Sequence, residues 1–148
     1  MFERLKALLQ HHADPHDAIA EEQAVPLAAA MLLLEVAWAD QKITEAELEA
    51  TRRAIRSLFG LAPEQVERLV ERARVEHETA ISMYPFTRAA NDALSMEEKK
   101  QLIVALWRLA GADSGGEVHE EYTIRRIADL LYVSHDDFIA AKLAARGT

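Results

Sequence analysis

Apolar residues recur along this chain at spacings of three and four. No stretch alternates Val, Ile, Thr or Tyr with polar residues as a half-buried strand would, so every strong period is helical. Phe2, Leu5, Leu8 and Leu9 mark a short first helix, which His11 to Pro15 breaks. The run from Val25 to Ala39 is apolar almost all round, interrupted by Glu35. It predicts a central buried helix with Pro26 near its start, reaching Trp38. Ile43 to Ala46 turns the chain. Thr44 opens a helix through Phe59, with Thr44-x-x-Glu47 as a capping box and Gly60 as its stop. Pro63 opens another, with Val66, Leu69, Val70 and Ala73 on one face, and Tyr84-Pro85-Phe86 interrupts and restarts it. A second capping box, Ser95-x-x-Glu98, begins a helix through Trp107 to about Ala110. Gly115-Gly116 then makes a flexible turn. The next helix runs to about Tyr132, and Ser134 caps the last one, which carries Phe138, Ile139 and Leu143. These elements predict a single-domain, all-α bundle.

The pattern repeats. Ala39-Asp40, six residues, then Glu47 recurs as Ala112-Asp113, six residues, then Glu120, an offset of 73 residues in a chain of 148. At the same offset Met31, Leu33, Val36 and Ala37 meet Val104, Leu106, Leu109 and Ala110. Arg52, Arg53 and Leu58 meet Arg125, Arg126 and Leu131. After a slip of one residue, Leu61 and Val66 meet Val133 and Phe138. Matching apolar positions alone would say little, because any two amphipathic helices share a period. The matched Asp, Glu and Arg-Arg carry the case. Two copies are too few for a solenoid, so a bundle with internal two-fold pseudo-symmetry is expected. Superposing residues 27–66 on 100–138 is the measure of it.

Composition narrows the function. There is no cysteine, which excludes disulfides, thiolate metal sites and a cysteine nucleophile, and fits a reducing compartment. The net charge of -8 disfavours nucleic acid and anionic membrane surfaces as partners. The run Val25 to Ala39 is too short to span a bilayer and lacks the basic flank of a signal peptide. The expectation is a cytoplasmic protein with no direct membrane insertion.

Candidate chemistry centres on carboxylates. Asp40 and Asp113 fall near the C-terminal ends of helices, facing the negative end of the macrodipole. A hard divalent cation, calcium or magnesium, bridging Asp40 to Glu47 and Asp113 to Glu120 would explain that misfit twice. The structural alternative is an Asx-turn from Asp40 onto the Lys42 N–H, with Glu47 serving the capping box. Neither turn is an EF-hand, because Thr51 and Ile124 stand where the bidentate Glu is needed. His11, His12, Asp14, His16 and Asp17 form a small cluster that suits zinc or nickel, against which stands a plain solvated loop. His77, Tyr84 and Arg88 surround the mid-chain break, where they would line a partner-binding cleft or anchor helices to one another. Trp38 and Trp107 read as core or interface residues, and the two Arg-Arg pairs as partners for nearby Glu. His119-Glu120-Glu121 lacks the second His of a zinc protease. No Gly-rich phosphate loop and no Ser/His/Asp arrangement with motif spacing is present, so no enzymatic activity is expected.

Ala39-Asp40-x6-Glu47, the stretch Ile81 to Thr87, Ala105-Leu106-Trp107 leading to Asp113-x6-Glu120, and Ile124 to Leu131 together resemble the TerB family of tellurite-resistance-associated proteins. The resemblance runs roughly from Leu27 to Leu143. Gln41 and Ser114 stand where that family usually has Gly. The resemblance implies about seven helices with internal two-fold pseudo-symmetry. The chain itself divides into residues 1–24, an N-terminal helix and linker, and 25–148, the helical domain, with repeats at about 27–80 and 96–146. The resemblance also implies a non-enzymatic interaction module with no cofactor in a bacterial stress-response system, whose partner is a protein, within a complex that includes membrane proteins. A divalent-cation-binding or metal-sensing protein using the two Asp/Glu pairs is the competing expectation.

Overall fold

The computed structural model describes residues 23–111 and 117–147. Seven α-helices and no strands occur among them: α1 Ala24–Ala37, α2 Glu45–Phe59, α3 Pro63–Thr79, α4 Tyr84–Ala93, α5 Met96–Ala110, α6 Glu117–Leu130 and α7 His135–Arg146. The expected first helix, the His11 to Asp17 cluster, Asp113 and Gly115-Gly116 lie outside the described residues.

α1 is the axis. Every residue in it except Glu35 is buried, and it packs against α2, α3, α4, α5 and α6. A helix that is apolar all round needs covering on every side. The alanines Ala28, Ala29, Ala30 and Ala37, all nearly inaccessible, let neighbouring helices approach it closely. Met31, Leu32, Leu33 and Leu34 fill the space beyond and join Ile55, Ile103, Leu106, Ile124 and Phe138 in one continuous core. α5 is a second, partly exposed axis, packed on α2, α6 and α7 as well as on α1. The first half thus packs α2 and α3 on α1, and the second packs α6 and α7 on α5. α4 lies on α1 and closes a smaller cluster of Ala24, Val25, Ala28 and Ala89 with Phe59 and Phe86.

Helix limits follow local chemistry. Thr44 accepts from the Glu47 N–H, and Glu47 Oε1 accepts from the Thr44 N–H at 2.8 Å, completing the first capping box. Ser95 and Glu98 make the second. Pro63 is the first residue of α3, where its missing N–H costs nothing. Ser134 accepts from Asp137 at the start of α7. α2 ends on Gly60 at φ 64°, the left-handed conformation that glycine adopts freely. α6 ends the same way on Tyr132, at φ 61°, with the Val133 N–H returning to the Ala128 carbonyl. A tyrosine there costs about 1–2 kcal/mol of backbone strain. Contacts around it offset this: Asn91 on α4 donates to the Leu130 carbonyl at 2.9 Å, and the Lys99 ammonium lies 5.9 Å from the Tyr132 ring centre.

α6 and α7 are held together by charge as well as by apolar packing. Lys142 on α7 donates to Glu121 on α6 at 2.9 Å and stands 5.0 Å over the Trp107 ring. The hydrogen bond from Lys142 holds the Glu121 carboxyl below the usual Glu range. Partial burial opposes this, and the Lys142, Arg125 and Arg146 charges add to it. A lowered folded pKa contributes stability above the unfolded pKa of about 4.3, and that contribution is lost as pH falls through the folded value. Glu121→Gln should therefore lower stability at pH 7 but converge with wild type once the pH has fallen through the folded value. Urea unfolding across that range checks this; parallel curves at every pH would refute the assignment.

Candidate functional site

The 3₁₀ turn Trp38–Asp40 continues α1 and packs against α6. Gln41 then takes φ 70°, so the left-handed turn is kept with glutamine at a position where glycine would be unstrained. Asp40 is half-buried in that 3₁₀ turn, and its Oδ1 has no hydrogen-bond partner among the described residues. The expected Asx-turn onto Lys42 is not formed.

Glu47 and Glu120 are both buried, at 0 % and 1 % exposure, in the first turns of α2 and α6. Burial of two carboxylates was not legible in a sequence where each stands among other acidic residues. Glu47 Oε1 also accepts from the Thr44 hydroxyl at 3.1 Å, and the Thr51 hydroxyl donates to the Glu47 carbonyl. Among the described residues no group of three or more His, Asp or Glu side chains could hold a metal ion. Asp113, the fourth member of the expected set, lies outside them.

A concavity lies at the C-terminal end of α1. It is an open cleft of about 880 Å³, within the size range of ligand and docking sites. Glu35 of α1 and Trp38 of the 3₁₀ turn line it. The end of α3 and the loop Ala80 to Met83 form one flank, and Thr123, Arg126, Ile127 and Leu130 of α6 form the other. Ile43 and Leu48 add apolar surface. His77 lies in this cleft, whereas Tyr84 and Arg88 are exposed on α4 and do not line it. The His77 side chain is 7 % exposed. Its Nε2 lies 2.8 Å from Glu35 Oε1, and its ring meets Trp38 edge-on at 6.2 Å. A proton on Nε2 is donated to the carboxylate. Glu35 is thus the polar break in the apolar run because it holds His77 from the next helix but one. That pairing spans 42 residues, beyond the reach of any local pattern.

The cleft is apolar at its mouth. Trp38 is 38 % exposed, Leu130 41 % and Ile81 102 %. Its charges balance: Arg74 and Arg126 stand against Glu35 and Glu78. Arg74 is paired with Glu71 and Glu78 on its own helix. Arg52 is likewise engaged, by Glu45, Glu49 and Glu67. Burial opposes its charge, but the hydrogen bond to Glu49 and the neighbouring Glu67 and Glu45 outweigh that and raise its pKa. Arg125 instead lies 5.1 Å over the Phe138 ring.

An all-helical bundle built around one enclosed apolar helix, with matched buried carboxylates opening two of its helices, is the class these features define. Residues 26–143 match the family model described as tellurite resistance protein TerB, and the chain belongs to that family. No curated protein and no solved structure matches it.

The capping assignment of Glu47 is open to test. Glu47→Gln keeps an acceptor for the Thr44 N–H. Glu47→Ala removes it and leaves a cavity, so Ala should cost about 1–2 kcal/mol and Gln less than half of that. Equal losses in urea unfolding would mean that the negative charge, not the cap, is what the fold requires.

Proposed function

We propose that this chain is a non-enzymatic protein-interaction module of a TerB-type system, with a protein partner in a stress-response or tellurite-resistance-related, membrane-associated complex. The observation that supports it most is the cleft at the end of α1, whose mouth leaves Trp38, Ile81 and Leu130 in water. Contiguous apolar surface rimmed by polar groups is what docking sites present. On this reading the protein acts in the cytoplasm, and neither a cofactor nor nucleic acid takes part. The net charge of -8 is consistent with that. No helix among the described residues is long and apolar enough to cross a membrane, so a membrane-bound partner would supply the anchor. The same reading treats α1–α3 and α5–α7 as two copies of one unit, since each half packs its second and third helices on its first.

Leu130→Asp tests the docking assignment without disturbing the core, because Leu130 is already 41 % exposed. Stability should change by no more than about 0.5 kcal/mol. Recovery of host proteins on the immobilised chain should fall sharply at low and high salt alike. Undiminished recovery would remove the cleft from the interface.

A divalent-cation sensor using Asp40, Glu47, Asp113 and Glu120 makes the opposite prediction from this reading. If no cation is required, millimolar calcium, magnesium or chelator should leave Tm unchanged. A ligand of the native state alone must raise it. A rise that Asp40→Asn abolishes would favour the sensor.

A further inference from the structure

We propose that Tyr132 is a contact residue for the docked protein partner, extending the cleft surface around the end of α6 to take an aliphatic face of that partner. The proposal rests on the docking reading of the cleft and deepens it.

The end of α6 is a position for glycine. In the sequence repeat Leu61 meets Val133, so Gly60 after α2 meets Tyr132 after α6. The two residues hold the same backbone conformation, φ 64° and 61°. No atom of the described residues lies within 4 Å of where a Cβ on Gly60 would stand. Glycine there answers a backbone requirement and not a steric one. The same requirement falls on Tyr132, where a side chain is strained. The contacts that offset this strain owe little to the tyrosine itself. Asn91 bonds to the Leu130 carbonyl, a contact that glycine at 132 would keep. Tyr132 is 75 % exposed, so burial contributes little. Its ring centre is 5.9 Å from the Lys99 ammonium, at the outer limit of such interactions. A strained residue without a matching gain in folding points to function.

Its place says which function. Tyr132 stands two residues beyond Leu130, and Gln41, at φ 70°, stands three beyond Trp38. These two are the non-glycine residues with positive φ among the described residues. Each follows an exposed apolar residue of the cleft mouth. The strained positions therefore fall on both sides of the same opening.

The chemistry of the occupant follows from what the cleft leaves unsatisfied. Arg74 is held by Glu71 and Glu78, and Glu35 by His77. What remains for a partner is apolar: Trp38, Ile81, Leu130 and the adjoining ring of Tyr132. Arg126, exposed and with no ion pair among the described residues, adds one polar contact at the rim. A row of aliphatic side chains, as on one face of an amphipathic helix, matches that surface.

Thermal unfolding and binding of the full chain are compared for wild type, Tyr132→Gly, Tyr132→Phe and Leu130→Asp. The binding probe is a purified host protein that wild type retains and Leu130→Asp does not. Tyr132→Gly should keep Tm within about 2 °C of wild type or raise it, because relief of strain offsets the freedom glycine adds to the unfolded chain. It should weaken binding about tenfold, at low and high salt alike, while Tyr132→Phe binds as wild type does. A larger fall in Tm makes Tyr132 a structural residue and overturns the proposal. A loss in Tyr132→Phe equal to that in Tyr132→Gly, or binding that high salt abolishes, overturns the aliphatic assignment. If Tyr132→Gly binds as wild type does while Leu130→Asp fails, the proposal falls and the docking reading stands. If Leu130→Asp loses no host protein, the docking reading fails and this proposal with it.

Discussion

α1 cannot meet water anywhere along its core-facing length, and the rest of the bundle is arranged by that constraint. Its thirteen buried residues leave no face that could be solvated. Five helices therefore surround it, and their own apolar stripes are spent on covering it. At about 25 cal/mol per Å² of apolar surface removed from water, this enclosure is the main force that draws distant segments together. The single polar residue that α1 carries, Glu35, falls where that enclosure opens.

The open end is consequently where chemistry collects. The last turn of α1 brings Glu35 into the cleft, and the 3₁₀ turn that follows brings Trp38 to its mouth. The 3₁₀ turn and Gln41 redirect the chain away from it, and α3 returns His77 to pair with Glu35. Because His77 and Glu35 engage one another, they form an ordered, largely satisfied polar spot within an apolar rim. The buried Glu47 belongs to a different task. Its carboxylate closes the first turn of α2 beside α1, so the acidic motif conspicuous in the sequence contributes to stability at the position where the chain turns back onto its axis.

Much of the fold was legible because the signals were local. The two capping boxes, Pro63, Gly60 and Ser134 set helix limits through groups three or four residues apart, and those limits are found where the residues imply them. Other limits were hidden for a physical reason. Gln41 and Tyr132 occupy left-handed conformations that neither side chain favours, and nothing in their immediate neighbours announces it. At Tyr132 the strain is offset by Asn91 from α4 and Lys99 from α5, residues that only packing brings near.

The sequence by itself determined the helical class, the order and capping of the helices, the enclosure of α1 and the TerB resemblance, since each depends on periodicity or on short-range hydrogen bonds. Tertiary structure decided which polar residues meet. It joined Glu35 to His77, buried Glu47 and Glu120 while leaving Ile81 in water, and placed Tyr84 and Arg88 outside the cleft that His77 enters. Those outcomes depend on how helices far apart in the chain rotate to cover one apolar axis, and side-chain contacts made by that rotation leave no periodic trace in the chain.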